Sequence, residues 1–179
     1  YHFLNMNLIK KLSITILLLL FLQQNSTAEV PHFLDFNYIL NQSDAGKKAQ
    51  DFLKNKLSSG IKNLQNKEKK IQEEEKKIIA QKKVIGADEY KKKISELRSK
   101  VSSLQKERNS LLESVAKQRA KARNELLKNL NPIIKNFMEE KNIRMVIDKK
   151  NLLLADDKLD ITKEIMSLLN QRLKSIKLN

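Results

Sequence analysis

Apolar residues recur through the middle of the chain at helical spacing. From Ala49 they fall at Leu53, Leu57, Ile61 and Leu64, then thin to Ile71, Ile78 and Ile85. Leu57, Leu64, Ile71, Ile78 and Ile85 are seven apart, the repeat of a helix that packs along one seam against another helix. Glu68, Glu75 and Lys82 hold the intervening places, so half of the seam is polar. Beyond Gly86-Ala87-Asp88 a second series begins. Tyr90, Ile94, Leu97, Val101, Leu104, Leu111 and Val115 keep four-three spacing, broken at Arg108, and Ala122, Leu126, Leu130, Ile133 and Phe137 then slip round the helix. Folding back at 86–88 brings Ile78 near Ile94, Ile71 near Val101, and Leu57 near Val115. That consistent register, with a helix-breaking Gly86 and a capping Asp88, favours a helical hairpin over one continuous rod. Helices of about 40 and 50 residues at 1.5 Å each predict an arm of roughly 60 Å or more. Its thinly packed distal half should bend and open easily.

Strand patterns flank the arm. Val30 to Phe36 reads as a short strand with Pro31 near its start, followed by one or two helical turns over 37–42, and Ser43 or Asp44 can cap the first arm helix. On the far side, Pro132 should kink or locally adjust the returning helix, above an apolar root of Ile133, Ile134, Phe137 and Met138, and Asn142 ends that helix. Residues 143–148 and 151–155 then read as an antiparallel strand hairpin around Lys149-Lys150. Asp160 caps a last helix with Ile161, Ile165, Leu168, Leu169 and Leu173 on one face. The fold class is therefore α+β, mostly α: a long antiparallel helical hairpin, a coiled-coil arm at 47–141 with its tip near 86–88, projecting from a small β-strand base of three short strands and short helices built from 29–46 and 142–179.

The first 28 residues have a different character. Asn7 to Lys11 gives a short positive region after Met6, Leu12 to Leu22 is apolar except for Ser13 and Thr15, and Ser26-Thr27-Ala28 has the small-x-small pattern of a signal-peptidase site. An anchor is the other reading of such a run. Its eleven residues reach only about half of the ~30 Å hydrocarbon core, which favours a cleaved signal peptide over 1–28 and an exported chain.

Charge sharpens the division between arm and base. Of 36 Lys and Arg and 21 Asp and Glu, the arm holds 26 and 13, a net +13, whereas the base holds 8 of each. Lys62, Lys69, Lys76 and Lys83 form one stripe at seven-residue spacing, and Lys121, Lys128 and Lys135 form another. Each lysine alone is ordinary solvated coating worth a few tenths of a kcal/mol in helix pairs. The collective charge exceeds what solubility demands and points to a net-negative partner.

Little remains for catalysis. The chain has no cysteine, two histidines of which one lies in the leader, and glycine only at 46, 60 and 86, so it has no thiolate metal site, no lipid-modified cysteine and no phosphate-cradling loop. Glu73-Glu74-Glu75 faces around a helix instead of converging on an ion, and His32 is read as a strand histidine facing solvent or a partner. No enzyme, metal site or cofactor is expected.

The order of parts resembles the Skp/OmpH family of periplasmic chaperones for outer-membrane proteins. The residues that carry the likeness are the strand ending at Asp35, Ser43-Asp44-Ala45-Gly46-Lys47-Lys48-Ala49, Val146-Ile147-Asp148, Leu152 to Ala155 and Asp160-Ile161-Thr162. Pro31 and His32 depart from the usual uninterrupted apolar first strand. The resemblance implies a homotrimer whose base strands join into a barrel, through Val30, Phe33, Leu34, Phe36, Ile143, Met145, Val146, Ile147, Leu152, Leu153 and Leu154. It implies periplasmic, ATP-independent holding of unfolded outer-membrane proteins between the arms. A base of about 60 residues is too small to be comfortable alone, and its strand edges need partners, which also favours assembly. The lysine stripes are the electrostatic client contacts in this reading, and the off-seam Ile79, Val84 and Leu112 the apolar ones. The basic surface also suits an anionic lipid or lipopolysaccharide surface. Two rivals are a basic coiled-coil nucleic-acid binder, disfavoured by the export signal and the lack of stacking aromatics along the arm, and an envelope structural protein, disfavoured by the half-empty seam.

Overall fold

The computed structural model describes residues 30–178, and residues 31 onward form one compact unit. The leader over 1–28 lies outside the described residues. The elements run β1 (His32–Leu34), α1 (Phe36–Gln42), α2 (Asp44–Gln81), α3 (Ala87–Glu140), β2 (Val146–Asp148) and α4 (Thr162–Arg172), with 3₁₀ turns at Lys149–Asn151 and Asp157–Leu159.

Local chemistry fixes each boundary. β1 stops at Leu34 because the Asp35 carboxylate accepts the Tyr38 N–H at 2.8 Å and starts α1. Phe36, expected at the end of a strand, is thus the first residue of a helix. Ser43 ends α1 and caps α2, its hydroxyl accepting the Gly46 N–H at 3.2 Å in a buried corner. That corner has no room for a side chain at 46, since a Cβ there would lie 2.0 Å from the Leu40 carbonyl oxygen. α2 and α3 pack along one another as the expected hairpin. The turn between them caps α3 with Gly86, whose backbone is extended, while Asp88 sits inside the first turn, where its charge suits the helix N-terminus.

α3 runs unbroken through Pro132 and ends in a Schellman closure. Asn142 takes the left-handed conformation (φ 54°), its N–H reaches the Glu139 carbonyl at 3.4 Å, and the Ile143 N–H reaches that of Met138 at 2.8 Å. Asn142 does end the helix.

The strand arrangement differs from the expectation. β1 and β2 are parallel, with His32 beside Val146, Phe33 beside Ile147 and Leu34 beside Asp148, so the whole arm is the crossover between them. Phe33 is also bridged to Asp160, putting β1 between two neighbours. The expected antiparallel hairpin of 143–148 with 151–155 is absent, and with it the third strand. Ile143 is used to close α3 and is buried, so the strand starts only at Val146. Beyond β2 the Asp148 carboxylate accepts the Lys150 N–H and the Lys149 carbonyl accepts that of Leu152, turning the chain out of line.

One core joins base and arm root. Leu34, Ile39 and Ala45 meet Leu126, Leu130 and Ile133 of α3, Ile143, and Ile161, Ile165 and Leu169 at the last helix. The last four or so turns of α3, from Leu126 to Glu140, therefore belong to the base. Leu168, expected on the apolar face of α4, is 37% exposed. The segment after α4 returns to the arm. Leu178 is buried against Ala49, Leu53, Val115 and Ala122, with Ile176 beside it. Nothing in the sequence pattern flags this contact.

Candidate functional site: the basic arm

The seam of the arm changes character along its length. Near the root it is apolar, with Ala49 and Leu53 of α2 buried in one cluster with Val115 and Ala122 of α3, and Leu64 buried farther along α2. Leu57 packs with Val115 as the expected register requires. Gly60 is the hole into which Leu111 fits, since an added Cβ would lie 2.5 Å from a Leu111 methyl carbon. Ile61 is therefore turned away, 41% exposed, and is not a seam residue.

The middle is held by charge. Lys67 meets Glu107, Lys100 meets Glu74 at 2.6 Å, and Arg108 meets Glu68 at 3.7 Å, all between the helices. Glu74, not Glu75, is the half-buried acidic residue facing α3. Lys100 takes the place opposite it, which leaves Val101 50% exposed. Toward the tip Ile78 and Leu97 are buried again, and Lys82 Nζ stands 5.8 Å from the Tyr90 ring centroid. Solvent-exposed ion pairs contribute roughly 0–1 kcal/mol each, much less than burying a leucine. The mid-arm is the weakest part of the seam.

These pairs decide what faces outward. Glu68, Glu74 and Glu107 are occupied between the helices, and Glu89 and Glu139 pair along α3 with Lys93 and Lys135. Lys62, Lys69, Lys76, Lys83, Lys121, Lys128 and Lys135 are all exposed. Among the described residues only Lys135 has a carboxylate within ion-pair distance, Glu139 at 3.9 Å. Lysines seven apart on a helix stand about 10.5 Å from one another on nearly one face. Of the apolar candidates, Ile79 is 56%, Val84 85% and Leu112 52% exposed. Sequence reasoning missed Phe52, 41% exposed on α2, because an aromatic one place before Leu53 is hard to tell from core.

The base residues divide in two. Phe33, Leu34 and Ile143 are buried within the chain itself. Phe36, Val146, Ile147 and Leu152 are half-buried, whereas Val30, Met145, Leu153 and Leu154 are exposed, the last two at 103% and 91%.

A polar knot ties the base strands to α4. The Asp35 N–H donates to the Thr162 hydroxyl at 2.8 Å, and that hydroxyl donates to Asp160. Asp160 also accepts the Thr162 N–H at 2.9 Å, capping α4 from one residue before the boundary residue Ile161, and receives Lys149 Nζ at 3.0 Å. Burial pushes the Asp160 carboxyl up, but the hydrogen bonds from Thr162 and Lys149 together outweigh it and hold the group below its usual range. The hydrogen bond to Asp160 raises Lys149. His32 keeps a buried Nδ1 without a protein partner.

Among the described residues no group of His, Asp and Glu converges as a metal site, and no helix is long and apolar enough to cross a membrane.

Comparison with known proteins agrees with this architecture. A crystal structure from Caulobacter crescentus, that of an OmpH-like outer membrane chaperone, superposes with a TM-score of 0.77 over 87% of this chain and 93% of that one, at 20% identity. No curated protein matches the sequence. Residues 32–169 match the family model for outer membrane protein (OmpH-like), the span from the first strand to the last turn of the apolar face of α4. The chain belongs to the OmpH-like outer membrane protein family.

Proposed function

We propose that the protein is a periplasmic, ATP-independent holding chaperone for unfolded outer-membrane proteins, working as a homotrimer whose arms surround a cavity. Family membership and the Caulobacter crescentus chaperone support a chaperone role. The observation that carries the mechanism is the sorting of charge on the arm. Its inter-helix carboxylates are taken up by ion pairs, and two lysine stripes are left outward on a hairpin of net +13. Such a surface attracts net-negative chains at long range and holds them through many weak contacts, from which they can leave without nucleotide hydrolysis.

The domain division follows: a cleaved leader over 1–28, a trimerisation base from 29–46 and 142–179, and the arm over 47–141. Assembly is supported by the base itself. Val30 is exposed, as are Met145, Leu153 and Leu154, which flank β2 in the sequence, and the outer edge of β2 has no strand partner among the described residues. Exposed apolar side chains beside an open edge are what a neighbouring subunit covers. Phe33, Leu34 and Ile143 contribute by shaping the base from within.

Substituting Lys62, Lys69, Lys76 and Lys83 together by Gln tests the stripe against an unfolded porin diluted from denaturant. Holding should weaken while helicity stays, and unchanged suppression of aggregation removes the stripe from the mechanism. Sedimentation equilibrium of the mature chain tests assembly; a monomer at micromolar concentration contradicts the trimer.

A further inference from the structure

At the arm root α2 and α3 leave an open groove of about 600 Å³, bounded at its lower end by α1. Leu53, Leu57 and Val115 form its apolar floor, and Lys54, Arg119 and Arg123 its rim; no Asp or Glu lines it. Among the described residues none of these three cations has a carboxylate within ion-pair distance. A cationic rim over an apolar floor fits a ligand that is both acidic and apolar.

The same helices already hold one stretch of non-helical chain, which shows the form such a ligand takes. The C-terminal segment lies on α2 and α3 with Leu178 buried against Leu53 and Val115, and the Gln118 side-chain amide donates to the Leu178 carbonyl. Neither Ile176 nor Leu178 lines the groove. From Gly46 to Leu57 the groove follows eleven residues of helix, about 16 Å at 1.5 Å each. That is the length of about five residues of extended chain at ~3.3 Å. Arg119 and Arg123 are one turn apart, about 6 Å, close to the ~6.6 Å between alternate side chains of a strand.

We propose that this groove is a binding site for an extended polypeptide segment in which apolar side chains alternate with carboxylates, the pattern of a membrane β-barrel strand with acidic lumen residues. The inference rests on the client class assigned above and adds to it a defined seat at the arm root, distinct from the lysine stripes. The floor takes the apolar side chains, and the two arginines take successive carboxylates.

The test is fluorescence anisotropy of a labelled nine-residue peptide of alternating Leu and Glu, titrated with the full mature chain, beside the porin-holding assay. Arg119→Glu with Arg123→Glu should weaken peptide binding at least tenfold, whereas the charge-matched Lys158→Glu with Lys163→Glu, both exposed in the base, should change it little. Gln50→Trp, which fills the groove without altering charge, should also weaken it, and a peptide of the same composition with Leu and Glu in separate blocks should bind less tightly. Equal affinity in the two charge variants, or no peptide binding by the wild type, overturns the groove whatever the porin assay gives. Peptide binding with no protection of the porin overturns the chaperone reading and the groove's part in it.

Discussion

Two glycines in the same helix should respond oppositely to alanine. In an exposed helix interior, Gly→Ala gains about 0.8–1 kcal/mol, because alanine loses less backbone entropy on folding. At Gly60 the new Cβ meets only the end of the Leu111 side chain, which can rotate away, so part of that gain should survive. At Gly46 the new Cβ would lie 2.0 Å from the Leu40 carbonyl oxygen and 2.9 Å from the Ser43 hydroxyl. The first contact is with backbone, so relief requires moving α1 relative to α2 at the floor of the base core. Overpacking of this kind costs about 1–3 kcal/mol, and disturbing the Ser43 cap adds about 1 more. The net expectation is a loss of about 1–3 kcal/mol for Gly46→Ala and a change between zero and a gain of about 1 for Gly60→Ala. For a chain of this size 1 kcal/mol moves Tm by about 2–4 °C, so thermal denaturation at matched protein concentration separates the two variants. A Gly46→Ala protein as stable as the wild type would refute the steric account of the corner.

Three further outcomes follow from individual contacts. At Asn142, whose φ is 54°, Asn142→Gly should be neutral or slightly stabilising and Asn142→Val should cost about 1–2 kcal/mol in urea unfolding, because a β-branched residue is strained in the left-handed region. Asp160→Asn should destabilise by about 1 kcal/mol near neutral pH. Because the folded Asp160 pKa is lowered from its usual 3.8, its contribution is present above that value and fades as pH falls through the folded pKa. The stability gap between wild type and variant should therefore close in acid, and a gap that persists there would show that the contribution is not ionic. Replacing Glu68, Glu74 and Glu107 together by Gln should raise amide hydrogen exchange in the mid-arm while leaving the base protected. Uniform protection after that change would mean that the ion pairs do not hold the mid-arm closed.

The arm was legible because its information is periodic. Leucines and isoleucines at seven-residue spacing, a glycine at the turn and a lopsided lysine count each survive small errors of register, and the hairpin, the Leu57–Val115 contact and the exposure of the lysine stripes all follow from them. Ile61 and Val101 were misread because seam membership was judged from apolarity alone, while the packing uses Gly60 as a hole and Lys100 as an ion-pair partner. The base was harder because its signals are single residues with more than one use. Ile143 looks like strand but closes a helix, Phe36 looks like strand but starts one, and Leu152 to Ala155 have strand composition without a partner strand among the described residues. A parallel pairing across a crossover of more than a hundred residues leaves no local trace. The basic groove at the arm root was not visible either, since Lys54, Arg119 and Arg123 come from two helices and belong to neither lysine stripe.

Charge on the arm is the central claim, and salt tests it most directly. Successive stripe lysines stand about 10.5 Å apart, between the Debye length of ~30 Å at 0.01 M and ~8 Å at 0.15 M salt. At the lower concentration a net-negative chain meets their summed field, and at the higher one it meets them nearly singly. The affinity of the purified protein for an unfolded porin, measured at both concentrations, should fall severalfold as salt rises, and more steeply for the wild type than for the variant with Lys62, Lys69, Lys76 and Lys83 changed to Gln. The same affinity at both concentrations would contradict it.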